Sequence, residues 1–189
     1  PELKAFMSWS HHPQTEKSQY TRLVDIQAQY WGGQDMVFHI WSEDDEQLLG
    51  SIGLHHLRPL HPRGREIGYW VRTSATGQGV ASRAAMALVA WGFGHQGYLR
   101  MQCGFNRSNT ASRRVSEKVG FRHEAELTLA VDPPTEAMKR DGAIDDPISY
   151  QTVLLAQDIP QLPWYPELLG RLEVFDWCEE RVSIPSKGD

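Results

Sequence analysis

The sequence predicts an α+β fold, a β-rich core with helices interleaved between its strands. Three observations carry that expectation. Short runs of alternating apolar and polar residues recur along the chain, stretches with apolar residues at three- and four-residue spacing separate several of them, and a glycine-containing turn joins one strand to one helix.

The first periodic segment runs from about Thr15 to Trp31, where Tyr20, Leu23, Val24, Gln27 and Trp31 recur at helical spacing and Gly32-Gly33 ends the pattern. It predicts an amphipathic helix. Met36, Phe38 and Ile40 then alternate with Val37, His39 and Trp41, and Leu48 to Leu54 alternates in the same way, so the two runs form a hairpin across the acidic turn Ser42 to Gln47. A basic, proline-containing loop, Arg58 to Arg65, leads to a third strand, Glu66 to Val71. Val80, Ala84, Leu88 and Trp91 mark a helix over Val80 to Phe93, and Leu99 to Phe105 alternates as a strand. Ala111, Val115 and Val119 share a face of a further helix closed by Gly120, glycine being favoured at a left-handed C-terminal position. Alternating runs at Ala125 to Val131 and Ile148 to Leu154 complete the pattern.

The 189 residues suit one domain, here residues 1–159, with residues 160–189 as an appendage rich in Pro and Trp. A hydrophobic fraction of 40% and a charged fraction of 23% describe a globular chain with a sizeable core. A formal charge of -5 argues against nucleic acid or an anionic membrane as partner, since both require clustered Lys and Arg. Cys103 and Cys178 form no disulfide framework, which predicts a reducing, cytoplasmic setting. No run of about 18 apolar residues and no apolar leader is visible, so neither a membrane span nor a secretion signal is expected.

The segment Glu66 to Ser82 carries the chemistry. Unpaired N–H groups at a helix N-terminus attract anions, and glycine lets a phosphate approach the backbone. A tight turn that merely needs glycine is the structural alternative. A Walker A loop would need Gly-Lys-Ser/Thr, yet no Lys occurs between Glu66 and Glu117. A dinucleotide site would want a third glycine where Ser82 stands and an acidic residue where Phe105-Asn106 occur, which weakens that option.

Thr76-Gly77-Gln78-Gly79-Val80-Ala81 resembles the pattern Arg/Gln-x-x-Gly-x-Gly/Ala of the GNAT acetyltransferase superfamily, with Thr76 in place of the leading Arg/Gln. Asn106 to Phe121 resembles the block Asn-x-x-Asn-x-x-Ser-x-x-x-x-Glu-Lys-Leu-Gly-Phe of its RimJ/RimL branch, the acetyltransferases of ribosomal-protein N-termini, and Glu66 to Val71 looks like that branch too. The blocks match in order across about residues 36 to 155. The resemblance implies the GNAT fold: a mixed, mostly antiparallel sheet split between the strands at Ile67 to Val71 and Leu99 to Phe105, flanked by helices, with the pantetheine arm of acetyl-CoA in the split. It implies that backbone near Trp70, Val71 and Arg72 pairs with that arm and that Thr76, Gly77, Gln78, Gly79, Val80, Ala81 and Ser82 hold the pyrophosphate. Asn109 would touch the pantetheine, and Ser112 would face the same region. The first strand of the superfamily is not visible before Thr15, so a core lacking its opening strand is expected.

Acyl transfer from a thioester to an amine needs a base for the amine proton, a donor for the thioester oxygen and an acid for the leaving thiolate; it needs no metal. Glu66 is the choice for base, through a water; a surface carboxylate paired with Arg65 or Arg72 is the alternative. His55 and His56 are further candidates, because period two turns one of them to the cleft side and histidine ordinarily titrates near neutrality. Many GNAT enzymes carry a Tyr acid where this chain has Ser116, so protonation falls to Ser116, Ser112, Tyr150 or water. Cys103 sits on an alternating apolar face and reads as a buried core thiol.

The function this implies is transfer of an acetyl group from acetyl-CoA, as cosubstrate, to a primary amine on a protein N-terminus or a small molecule. A non-catalytic acyl-CoA-binding module and a nucleotide-dependent oxidoreductase are the competing readings. The apolar tail, with Leu162, Trp164, Tyr165, Leu168, Leu169 and Trp177, must pack somewhere: on its own domain, closing the acceptor side of the cleft, or against a second subunit in a homodimer.

Overall fold

The computed structural model describes residues 2–56, 62–175 and 180–181. Part of the basic loop after His56, together with Trp177 and Cys178, lies outside the described residues. Six strands form one sheet in the order β1-β2-β3-β4-β6-β5. They are β1 (Met36–Trp41), β2 (Leu48–His56), β3 (Gly64–Val71), β4 (Arg100–Asn106), β5 (Arg122–Thr128) and β6 (Ile148–Leu155). The helices are α1 (Glu2–Phe6), α2 (Glu16–Trp31), α3 (Val80–Gly94), α4 (Thr110–Val119), α5 (Glu136–Arg140) and α6 (Tyr165–Arg171). Every pairing is antiparallel except β3 with β4. Among the described residues no helix is long and apolar enough to cross a membrane.

The sheet has two chemically distinct faces. Ile52 and Leu54 of β2, Ile67 of β3, Met101, Cys103 and Phe105 of β4 and Leu154 of β6 point to one side. There they meet Leu88, Val89 and Phe93 of α3 and Val119 of α4 in the main core. The other face carries His55, Glu66, Gln102 and three glycines, Gly53, Gly68 and Gly104, by the alternation of strands. Val71, Ala75 and Val80 form a small second cluster that fixes the turn between β3 and α3.

Four sequence expectations are corrected. The strand expected over Ala125 to Val131 is β5, running from Arg122 to Thr128; Leu129 takes φ 53° and ends it. α2 begins where expected, with Thr15 and Ser18 exchanging capping hydrogen bonds of 3.0 and 3.1 Å, but no residue in it is buried. Its apolar stripe of Tyr20, Leu23, Val24 and Trp31 is exposed, because the helix reaches the sheet at its last turn, where the Tyr30 ring lies edge-on to Phe38. Helices α1 and α5 were not expected. For α5 the signal was present: Thr135 accepts from the Met138 N–H at 3.2 Å, an N-cap followed by Glu136. No strand precedes β1 among the described residues, and β1 is the sheet edge.

The described residues from Ile159 to Leu172 pack on the domain itself. Ile159 and Tyr165 belong to the main core, Leu162, Trp164, Leu168 and Leu169 lie against it, and Trp164 Nε1 donates to the Val119 carbonyl at 3.2 Å. These residues cover α3 and the end of α4 and do not line the cleft.

Candidate active site

The parallel pairing of β3 with β4 lasts three residues, Gly64 with Arg100, Arg65 with Met101 and Glu66 with Gln102. Beyond that level β3 continues to Val71 and β4 to Asn106 without pairing to each other. A strand edge left unpaired inside a sheet presents N–H and C=O groups that need partners. A cavity of about 630 Å³ runs through this gap. On the core side it is lined by Tyr69, Cys103, Asn109 and Ser112. On the other side the walls are Ala5 to Ser8 around the end of α1, and the segment leading through Val131, Pro133 and Met138 to Ile144.

Glu66 stands at the vertex of the split. It is half-buried, and Gln102, itself buried, donates from Nε2 to Glu66 Oε2 at 3.1 Å. Its other oxygen lies toward Gly104, where a Cβ would sit 3.5 Å away. The alternative, a pairing of Glu66 with Arg65 or Arg72, is not found among the described residues: Arg65 donates to the Gly64 carbonyl at 2.7 Å and lies over the Tyr98 ring. The Cys103 thiol is pushed up to about 12, by burial first and then by the neighbouring Glu66 charge.

Across the split, Tyr69 Oη and Ser112 Oγ are 2.8 Å apart. Burial drives the Tyr69 phenol well above its ordinary value, so this hydroxyl keeps its proton and acts as a hydrogen-bond donor. Asn109 caps α4, its side-chain oxygen accepting from the Ser112 N–H at 3.0 Å, which leaves the amide nitrogen for a ligand. Ser116 is elsewhere. It is 2% exposed, bonded to Thr152 Oγ1 at 2.8 Å, and Thr152 in turn donates to the Cys103 carbonyl at 2.9 Å, so its hydroxyl is held outside the cavity lining.

At the far end, Gly77 (φ 75°) and Gly79 (φ 74°) both take left-handed backbone, and Gly79 opens α3. Thr76 Oγ1 donates to the Thr73 carbonyl at 2.8 Å and Gln78 Nε2 to the Ser74 carbonyl at 2.9 Å, so the turn is braced by its own side chains. Val80 and Ser82 are buried and offer backbone only, while Ala81 is half-buried. A Cβ on Gly79 would meet Arg83 Nη1 at 3.2 Å and Lys118 Nζ at 3.9 Å. Two cations therefore flank the helix N-terminus, a combination suited to a polyanion. Neither was singled out in the sequence, because Lys118 reaches the turn from α4 across the fold. At the end of β3, Val71 is core, the Trp70 indole turns away to an edge contact with Trp9, and the Arg72 N–H donates to the Leu49 carbonyl at 2.8 Å. The Arg72 N–H is therefore committed to β2 and not to the split, a correction to what the resemblance implied for it.

The profile of the Acetyltransferase (GNAT) domain matches residues 1–122. The chain belongs to the GNAT acetyltransferase family. Within the family it is RimJ/RimL-like. It is 30% identical over 122 residues to the ribosomal-protein-serine acetyltransferase of Escherichia coli strain K12, covering 63% of this chain and 65% of that one. To the probable N-acetyltransferase YjcK of Bacillus subtilis strain 168 it is 26% identical over 110 residues, 58% of this chain and 61% of the relative. The chain thus spans somewhat less than two thirds of these relatives. The solved structure of Mycobacterium smegmatis RimJ in complex with CoA-disulfide superposes with a TM-score of 0.66 at 22% identity, over 84% of this chain and 77% of that one, which is a likeness of fold. The GNAT fold and its split sheet, expected from the sequence, are what the structure has.

Proposed function

We propose that this GNAT chain moves an acetyl group from acetyl-CoA to a primary amine, with a protein N-terminus or a small amine as acceptor. The observation that carries the reading is the interrupted pairing of β3 and β4, with an anion-binding turn at one end and a carboxylate at the vertex. The residues present fit acetyl-CoA as cosubstrate. The backbone of Gly77 to Ser82, with Arg83 and Lys118, suits the pyrophosphate. The unpaired edge from Ile67 to Val71 suits the amides of the pantetheine, with the Asn109 amide nitrogen opposite.

Glu66, through a water, takes a proton from the acceptor ammonium, freeing the lone pair that attacks the thioester carbon. The Ser112 hydroxyl, backed by the Tyr69 phenol, donates a hydrogen bond to the sulfur as the carbon–sulfur bond breaks. A phenol with a raised pKa stabilises a thiolate better than it protonates one, so the pair acts first as donor. The acceptor enters between α1 and the segment Val131 to Ile144, whose lining is mostly apolar with Asp132 as a carboxylate.

The test is thiol release from acetyl-CoA in the presence of peptides, polyamines, amino acids and aminoglycosides, with calorimetry of CoA binding alongside. Turnover with any one amine supports the enzyme. CoA binding with no turnover on any acceptor supports the non-catalytic module, and no CoA binding refutes both.

A further inference from the structure

A second polar pair occupies the glycine-bearing face beside Glu66. His55 Nδ1 lies 2.7 Å from Asp35 Oδ2, while Asp35 Oδ1 accepts the His56 N–H at 2.8 Å. Asp35, at the entry to β1, is thereby fixed through both oxygens. Burial alone would raise its carboxyl, but the hydrogen bonds from His55 and His56 outweigh that and hold it below the ordinary carboxylate value. An ionised Asp35 can only accept, so His55 Nδ1 is the donor, and in the neutral imidazole Nε2 is then the acceptor through its lone pair.

The direction of that lone pair is set by two glycines. A Cβ on Gly53 would lie 3.0 Å from His55 Nε2 and one on Gly68 3.1 Å, so the imidazole lies flat over the sheet, which a side chain at either position would prevent. Gly68 lines the cavity, as does Gly104, toward which Glu66 turns. His55 and Glu66 are also direct partners in the antiparallel register of β2 and β3, so their side chains leave the same face with Cβ atoms roughly 5 Å apart. His55 remains 40% exposed.

We propose that the Asp35–His55 pair is the proton outlet of the active site. This rests on the acetyl-transfer reading above. An ammonium and a thioester become an amide, a thiol and one proton: the nitrogen loses two protons, the sulfur gains one, and the other must reach solvent in every turnover. Glu66, half-buried and tied to Gln102, receives that proton through water but must give it up again. His55 Nε2 accepts it, Asp35 balances the imidazolium charge, and the exposed ring hands the proton to buffer. The charged and titratable groups around His55 on the strands packed against it are Asp35 before β1, His56 next along β2, and Glu66 opposite on β3.

The experiment compares wild type with His55→Gln, Asp35→Asn and His56→Gln in acetyl transfer at low and high concentrations of imidazole buffer. The wild-type rate is expected to be independent of buffer. His55→Gln is expected to lose on the order of tenfold in kcat at low buffer with the KM for acetyl-CoA unchanged, and imidazole restores the loss. Asp35→Asn should follow it in direction, and His56→Gln should match wild type. A His55→Gln enzyme with wild-type kcat at low buffer, or a loss in both variants that imidazole leaves untouched, overturns the outlet while leaving acetyl transfer intact. Wild-type protein that turns over no acceptor overturns the underlying reading, and the outlet with it.

Discussion

Glu66 and Gln102 are the last residues that pair across β3 and β4, and they are joined by a side-chain hydrogen bond of 3.1 Å at the point where the strands part. The same contact closes the sheet and aims a carboxylate. Glu66→Gln should keep CoA affinity and lose between about tenfold and a thousandfold in kcat, as removal of a general base does. Gln102→Leu leaves the carboxylate but frees its direction, so a smaller loss in kcat with unchanged CoA affinity is expected. Equal CoA dissociation constants by calorimetry alongside unequal kcat values would establish the division of labour.

The turn at Gly77 and Gly79 makes a separable prediction. Replacing Gly79 with Val puts a β-branched residue at φ 74°, a strained position whatever space surrounds it, and crowds Arg83. CoA affinity should fall steeply. Lys118→Ala changes no backbone and removes one cation near the turn, so it should weaken CoA by a few-fold at low salt and by less at high salt. Calorimetry at two ionic strengths reads both effects, and a salt-independent Lys118 effect would remove that residue from the phosphate site.

Cys103 lines the cavity, yet its chemistry is suppressed. With the thiol pushed up to about 12, only on the order of one in ten thousand is thiolate at pH 8. In a Cys178→Ser background, alkylation of the folded protein by iodoacetamide should therefore be slow at pH 8 and accelerate through pH 10. Rapid labelling at pH 8 would refute a buried, electrostatically disfavoured thiolate.

Asp35 gives a pH dependence of stability. Its folded-state pKa lies below the ordinary 3.8, so the unfolded chain binds the proton more readily. The stabilisation is present above about pH 4 and is lost as pH falls through the lower, folded value. Thermal melts of wild type and Asp35→Asn should differ near neutrality and converge at the acid end; a gap that stays constant with pH would exclude this origin.

Apart from β5, which lies three residues earlier than expected, the sequence carried the strands and α3 to within about two residues, because alternation and three-four spacing are local properties of the chain. The fate of α2 was not legible: its apolar stripe satisfies the helical period, and only the packed structure reveals that Tyr20 and Trp31 meet no core. The site divided in the same way. Glu66, Gly79, Asn109 and Ser112 were marked by motifs within short segments. Asp35 was not, and Tyr69 and Lys118, though inside those segments, carried no assigned role, since each acquires it from a partner 20 or more residues away: His55, Ser112 and the Gly79 turn. Ser116 stands where many of the family carry a Tyr, and its hydroxyl is turned to Thr152 by a strand the motif does not contain.

The tail supplies the last prediction. Tyr165 is 7% exposed in the main core, where its ring packs with Trp164 near α3, yet its phenolic oxygen has no hydrogen-bond partner among the described residues. A buried hydroxyl without a partner costs free energy, and burial raises its pKa accordingly. Tyr165→Phe keeps the ring and removes the hydroxyl, so it should leave stability unchanged or raise it by about 1 kcal/mol. Tyr165→Ala removes the ring as well and opens a cavity beside Gly94 and Leu169, for a loss of about 3–5 kcal/mol. Neither change touches the cleft, so CoA affinity of the folded fraction should stay at the wild-type value. Urea denaturation with calorimetry separates the outcomes. Destabilisation by Tyr165→Phe as large as that by Tyr165→Ala would mean that the hydroxyl has a partner and that the tail is held by a polar contact rather than by burial.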